Sequence, residues 1–269
     1  MRLNNPLFLA IIYFVLVKAS LSYAGVIERV HKTHEWEYGG KHGTKHWGEI
    51  KPKFEQCGTG HYQSPINIYE TVKVTPRTLE FNYYSFHEVI LYNGHTVELL
   101  ADDKSEVIFE GKHFHLTQFH FHTPSEHVFF GKHYPLEMHL VHESKDEKSK
   151  ERDYLVIALV FENDDENPFL ESFIDDIPKI EETKDLNKFI DLHDLFPKRK
   201  LNEEKLYYYK GSLTTPPCNE KVNWLIFKAP LKASKSQIRK IKSVEGVNSR
   251  PIQKSYERKV EEFSVNLKE

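Results

Sequence analysis

Cysteine is almost missing from this 269-residue chain, which carries only Cys57 and Cys218. Neither has a neighbouring thiol, which argues against a redox motif or a thiolate metal cluster and leaves a disulfide or two free buried thiols. Long apolar runs are missing too. Beyond the first two dozen residues no segment approaches the roughly 20 residues that a membrane-spanning helix needs. There is no internal repeat and no low-complexity linker, and the residues after position 24 (269 less 24, or 245) suit one large domain with a substantial core. Basic charge is not in excess: 37 Lys and Arg against 40 Asp and Glu give −3. Removing residues 1–24 takes away Arg2 and Lys18 and no acid, leaving 35 minus 40, or −5. This mildly acidic balance argues against a nucleic-acid surface. Methionine numbers two while Lys and Glu abound, a pattern that suits a heat-tolerant protein and equally an ordinary charged surface.

The one apolar run that exists is a targeting segment. Arg2 supplies a basic start, Leu7 to Val17 the apolar stretch and Ser22-Tyr23-Ala24 a small-x-small cleavage signal, so residues 1–24 read as a secretory signal peptide and 25–269 as the mature domain. The competing reading is an uncleaved anchor, against which stand the short stretch and Lys18 at its end. The mature chain is expected to be exported, periplasmic or secreted, with no membrane attachment. In that compartment an isolated cysteine pair reads as a disulfide.

What the chain has in quantity is histidine, sixteen in all. Gln118-Phe119-His120-Phe121-His122 and Glu137-Met138-His139 read as two β-strands. In a strand, residues i and i+2 share a face about 7 Å apart, so His120 and His122 can converge on one ion. The sixteen residues between His122 and His139 allow a turn and a returning antiparallel strand that brings His139 across. Three imidazoles leave a fourth tetrahedral position open, the mark of catalytic zinc. Gln118 and Glu137 each lie one same-face step before a ligand, where they can accept its other N–H. A rival pair, His113-Phe114-His115, falls by strict alternation on the odd-numbered face with Phe119 and Phe121, away from His120 and His122.

Other β-type runs are 78–84, 88–92, 96–100, 106–109, 153–161 and 222–227, with turn signals such as Asn93-Gly94 between them. Helices are expected over 173–180, 186–192 and 235–244, the last capped by Ser234, and the charged run 143–152 reads as a solvated loop. The class is α+β, mostly β, in a single domain.

These motifs resemble the α-class carbonic anhydrases. The resemblance is carried by residues 118–122, Ser125-Glu126-His127, 137–142 and Gly211 to Pro217, with His46-Trp47-Gly48, Gln63-Ser64-Pro65-Ile66, Asn93-Gly94-His95 and Asn248-Ser249-Arg250-Pro251 in the family's order. It spans about residues 36 to 253. It implies a large twisted, mainly antiparallel central sheet with short peripheral helices, one Zn2+ on His120, His122 and His139, and reversible hydration of carbon dioxide to bicarbonate by zinc-bound hydroxide. It further implies Thr214 with Glu126 as the pair that orients the hydroxide, and His95 as proton shuttle with Tyr38 and Asn93 ordering water. Val141, Val156, Leu213, Val222 and Trp224 would line the carbon dioxide pocket and Thr215 would contact substrate or product. The cysteines match positions at which secreted and bacterial members carry a bridge, and bacterial members are often homodimers. Read without the resemblance, Thr214 is a turn residue, Glu126 a surface acid, His95 a turn histidine and the pocket residues are core.

Two features depart from the family. The 123–126 segment is short, as in the bacterial form, and Glu98 is acidic at the expected cavity wall. Two other functions compete: a silent binding module, which would lack ligand histidines, and a dedicated ester hydrolase, which would need a larger organic pocket.

Overall fold

The computed structural model describes residues 35–145, 152–195 and 204–266. The expected signal segment and the middle of the charged run lie outside them. In chain order the strands are β1 (Asn67–Ile68), β2 (Thr71–Lys73), β3 (Arg77–Asn82), β4 (Phe86–Tyr92), β5 (Val97–Leu100), β6 (Glu106–Phe109), β7 (Lys112–His122), β8 (Val128–Phe129), β9 (Lys132–His133), β10 (Leu136–Glu143), β11 (Tyr154–Asn163), β12 (Glu182–Ile190), β13 (Lys205–Gly211), β14 (Val222–Phe227), β15 (Leu231–Ala233) and β16 (Val260–Asn266). Thirteen of them form one mixed sheet in the order β10-β11-β14-β13-β16-β3-β6-β7-β5-β4-β12, with β15 on β11, β2 on β16 and a further ladder between β10 and β7. Most ladders are antiparallel; parallel ones join β11 to β14 and β15, and β16 to β2 and β3. β1, β8 and β9 make a small second sheet.

Among the described residues the helices are short and peripheral, the longest being Lys235–Glu245. Ser234 and Gln237 form a reciprocal capping box at its start, as the Ser234 cap implied. The other two expected helices are absent. Residues 186–190 belong to β12, whose ladder to β4 is interrupted between Asp185 and Phe189. Leu186, Phe189 and Ile190 stand three and four apart in sequence, which imitates a helical stripe, but in the strand Leu186 and Ile190 turn to the core while Phe189 is exposed. Over 173–180 the chain turns; the nearby helix is Pro168–Glu171, begun by Asn167, whose side chain accepts from the backbone of Phe169 and Leu170.

A large core covers one sheet face, with Phe114, Leu116, Phe119, Phe121, Met138 and Leu140 buried together. Strict alternation would forbid Leu116 and Phe119 from sharing a face. β10 resolves this: Val141 pairs with Gln118 and His142 with Leu116, so Thr117 is an extra residue in β7. The bulge flips the parity. His113 and His115 therefore lie on the same face as Gln118, His120 and His122, not with Phe119 and Phe121. A smaller apolar cluster on the other side contains Val141, Val156, Tyr209, Val222 and Trp224.

Candidate active site

β7 and β10 run antiparallel with His139 opposite His120 and Glu137 opposite His122. This register brings three imidazoles together: one ligand nitrogen from each of His120, His122 and His139 lies within 4.8 Å of the others. Each ring has its second nitrogen occupied. His120 Nδ1 donates to Gln118 Oε1 at 2.8 Å, His139 Nε2 to Glu137 Oε1 at 2.7 Å and His122 Nδ1 to the Asn248 carbonyl at 2.9 Å. The nitrogens left over are the ones that face inward, and Nε2 of His122 is buried without a hydrogen-bond partner. A buried acceptor left unmatched by protein is a group for which a cation is the natural partner.

Electrostatics favour neutral, ligand-competent rings at His120 and His122. Burial, and then the neighbouring imidazoles, hold His120 well below the ordinary histidine range. Burial also lowers His122, against an opposing pull from the Glu126 carboxylate. For Glu137, burial alone would raise the carboxyl, but His127 and His139 overcome it and hold the group well below the usual carboxylate range.

His127 is a residue the sequence reading did not single out. Its Nδ1 donates to Glu137 Oε1 at 2.6 Å and its backbone N–H to Oε2 at 2.8 Å, while Nε2 lies 2.7 Å from the Tyr209 hydroxyl, itself 2.9 Å from Ser64 Oγ. All four are buried. Asn248 was likewise seen only as part of a motif. Beyond its carbonyl, its side chain accepts from Thr123 N–H and donates to the carbonyls of Phe121 and His95. No spacing rule points to a backbone carbonyl as partner, and His127 lies ten residues from Glu137 across a turn.

The cavity before the imidazoles measures about 310 Å³ and is lined by Glu98, Gln118, His120, His139, Val141, Val156, Leu213, Thr214, Thr215 and Trp224. Its outer wall adds Thr117, Glu143, Arg152 and Tyr154. Of the expected pocket residues only Val222 is set back: it packs with Val156 and Trp224 but does not reach the lining.

Glu126 and Thr214 are both buried, yet no hydrogen bond joins them in the structure. Glu126 accepts the Arg250 N–H through Oε1 and turns Oε2, which has no hydrogen-bond partner, to 3.5 Å from His122 Nε2. Arg250 is buried, and its guanidinium donates to the carbonyls of Ser64 and Cys57. Cys57 and Cys218 are bonded, closing a separation of 161 residues.

His95 sits in the turn between β4 and β5. The Asn93 carboxamide oxygen accepts from the backbone of His95 and Thr96 and its amide donates to Glu98 Oε2, so Asn93 shapes this turn. The His95 ring stacks on Trp36 with centroids 3.8 Å apart. Tyr38 meets both rings edge-on. Burial pushes its phenol well above the ordinary value, so it stays protonated.

The sequence pattern of the family described as eukaryotic-type carbonic anhydrase matches residues 42–264. A carbonic anhydrase of Pectobacterium carotovorum is 35% identical over 232 residues, covering 86% of this chain and 90% of that one. Among solved structures, the α-carbonic anhydrase of Thermovibrio ammonificans in complex with the inhibitor sulfanilamide superposes with a TM-score of 0.78 at 38% identity, over 84% of this chain and 98% of the other. The Photobacterium profundum α-carbonic anhydrase gives 0.76 at 36% identity, over 84% and 99%.

Proposed function

The chain belongs to the eukaryotic-type, or α-class, carbonic anhydrase family, and from that membership we propose that it hydrates carbon dioxide to bicarbonate at a zinc ion held by His120, His122 and His139. The observation that carries the reading is the set of three converging nitrogens whose opposite ring positions are all taken. His120, His122 and His139 would hold the zinc, which would supply hydroxide near neutral pH by lowering the pKa of bound water to about 7, a value for which carbonic anhydrases are themselves the standard example.

The protein's residues divide the remaining work. Gln118 and Glu137 fix the tautomers of His120 and His139, and His127 in turn holds Glu137 ionised and in place. Val141, Val156, Leu213 and Trp224 give the uncharged substrate an apolar wall. Thr214, on the lining, orients the nucleophile through its hydroxyl, and Glu126, whose Oε2 has no hydrogen-bond partner, is the carboxylate assigned to accept from that hydroxyl. Thr215 contacts substrate or product. His95 carries protons outward. Its Nε2 lies 2.8 Å from the Trp36 carbonyl, which can only accept, so in the neutral ring the proton sits on Nε2. Asn93 places the shuttle turn, and Tyr38 orders water beside it.

An exported location fits the same picture. The apolar leader at 1–24 and the Cys57–Cys218 bridge support an oxidising compartment, and among the described residues no helix is long and apolar enough to cross a membrane. Stopped-flow hydration of carbon dioxide tests the assignment. Activity is expected to collapse in a chelator and return with zinc; hydration indifferent to chelation, or ester hydrolysis without hydration, would overturn it.

A further inference from the structure

The bulge at Thr117 leaves a second histidine pair on the outer face of β7, and that pair has a carboxylate of its own. His113 and His115 stand two residues apart, and Glu106 of β6 lies opposite His115 in register. One oxygen, Glu106 Oε2, faces both rings, 3.0 Å from His113 Nδ1 and 3.9 Å from His115 Nε2. The other oxygen is turned to the Asn82 amide.

The tautomers make this arrangement informative. His115 Nδ1 lies 3.2 Å from the Asp103 carbonyl, which can only accept, so Nδ1 bears the proton and a neutral ring presents the Nε2 lone pair to the carboxylate. In that tautomer two acceptors face each other, an arrangement that a proton or a metal cation between them relieves. Glu106 is held below the usual carboxylate range, foremost by its hydrogen bond to His113, so it is ionised at neutral pH. The lysines at this edge are already engaged, Lys112 with Asp153 and Lys145 with Asp103.

We propose that Glu106, His113 and His115 form a second, surface site for a divalent transition cation such as Ni2+, Cu2+ or Zn2+, separate from the imidazole trio and independent of the function assigned there. Two imidazoles and one carboxylate are a donor set that these ions accept. Ligand atoms about 2.1 Å from a tetrahedral ion stand about 3.4 Å apart. The two separations from Glu106 Oε2 bracket that value, whereas the two ring nitrogens are not yet within ligand distance of each other, so the His113 ring has to turn to complete the set. Glu106 and His115 are mostly covered, at 20% and 24% side-chain exposure, and supply the fixed part of the site. His113, 58% exposed, is free to swing into place. The Asp103 carbonyl orients His115 as backbone acceptors orient metal-ligating histidines. From His115 to His120 is five residues of β7, roughly 16 Å of strand, so the two clusters cannot share one ion.

Equilibrium dialysis of the full-length protein against Ni2+ at pH 7.5 tests the site, since nickel and zinc are counted separately by mass spectrometry. Wild-type protein is expected to take up one nickel at micromolar concentration. His113→Ala/His115→Ala and Glu106→Gln are expected to weaken that uptake at least tenfold while leaving zinc content and carbon dioxide hydration unchanged. No uptake by wild type below millimolar nickel would overturn the proposal. So would equal uptake by the double variant, which would assign the nickel to other surface histidines such as His87 or His193.

Discussion

The imidazole of His95 lies flat against the indole of Trp36, centroids 3.8 Å apart and planes within 17°, and its Nε2 is bonded to the carbonyl of the same residue. In the proposed shuttle role the ring is anchored through Nε2 and by its stack on Trp36. Replacing His95 by Ala is expected to lower kcat in dilute or poorly accessible buffer, to leave kcat/KM for hydration nearly intact, and to be partly rescued by imidazole. An unchanged kcat at low buffer concentration would mean that protons leave by another route.

Glu137 bridges His139 to His127, and the bridge is buried throughout. His127→Ala removes the Glu137 donor on the side away from the imidazole trio. Zinc affinity is expected to fall about 10- to 100-fold in competition with a chromophoric chelator. Leaving the buried carboxylate short of a donor adds a stability loss of about 1–3 kcal/mol, seen in urea unfolding. Wild-type affinity in this variant would make His127 a packing residue only.

Much of this site was legible in the sequence because strand alternation and same-face steps are local. His120, His122, Gln118, Glu137 and His139 follow from period two alone. The bulge at Thr117 was not legible, since an extra residue is fixed by the partner strand β10 rather than by β7 itself, and the faces of His113 and His115 were reversed as a result. β12 imitated a helix for a different reason, the spacing of three and four between Leu186, Phe189 and Ile190, of which Phe189 is exposed. The partners of Glu137 and His122 were hidden for another reason: His127 reaches Glu137 across a turn, and the Asn248 carbonyl lies 126 residues from His122. Strands β13 and β16 went unread as well, and each owes its burial to neighbours distant in sequence.

Glu245 offers a pH test. Its Oε1 lies 2.7 Å from Val97 N and 2.9 Å from Thr96 Oγ1, and burial pushes its pKa from 4.5 to about 8. The folded state therefore holds a proton that the unfolded chain has released, and this group's contribution to stability is lost as pH climbs from about 4.5 to about 8. Glu245→Gln cannot titrate. Relative to wild type it is expected to gain up to a few kcal/mol between pH 5 and pH 8.5 in urea unfolding. Parallel pH profiles for the two proteins would contradict the buried proton.

The Cys57–Cys218 bridge closes a separation of 161 residues, for which chain entropy gives a stabilisation of up to about 5 kcal/mol. Reduction is expected to lower Tm by many degrees. Denatured, non-reduced protein should show no titratable thiol; finding two would refute the bridge.

The central claim is that His120, His122 and His139 together hold one zinc ion that the hydration reaction requires. Zinc content per chain, measured beside stopped-flow hydration for the three single alanine variants, tests it most directly. The expected result is one zinc in the wild type, with metal and activity falling together in each variant. Full zinc occupancy with full activity in any one of the three would contradict it.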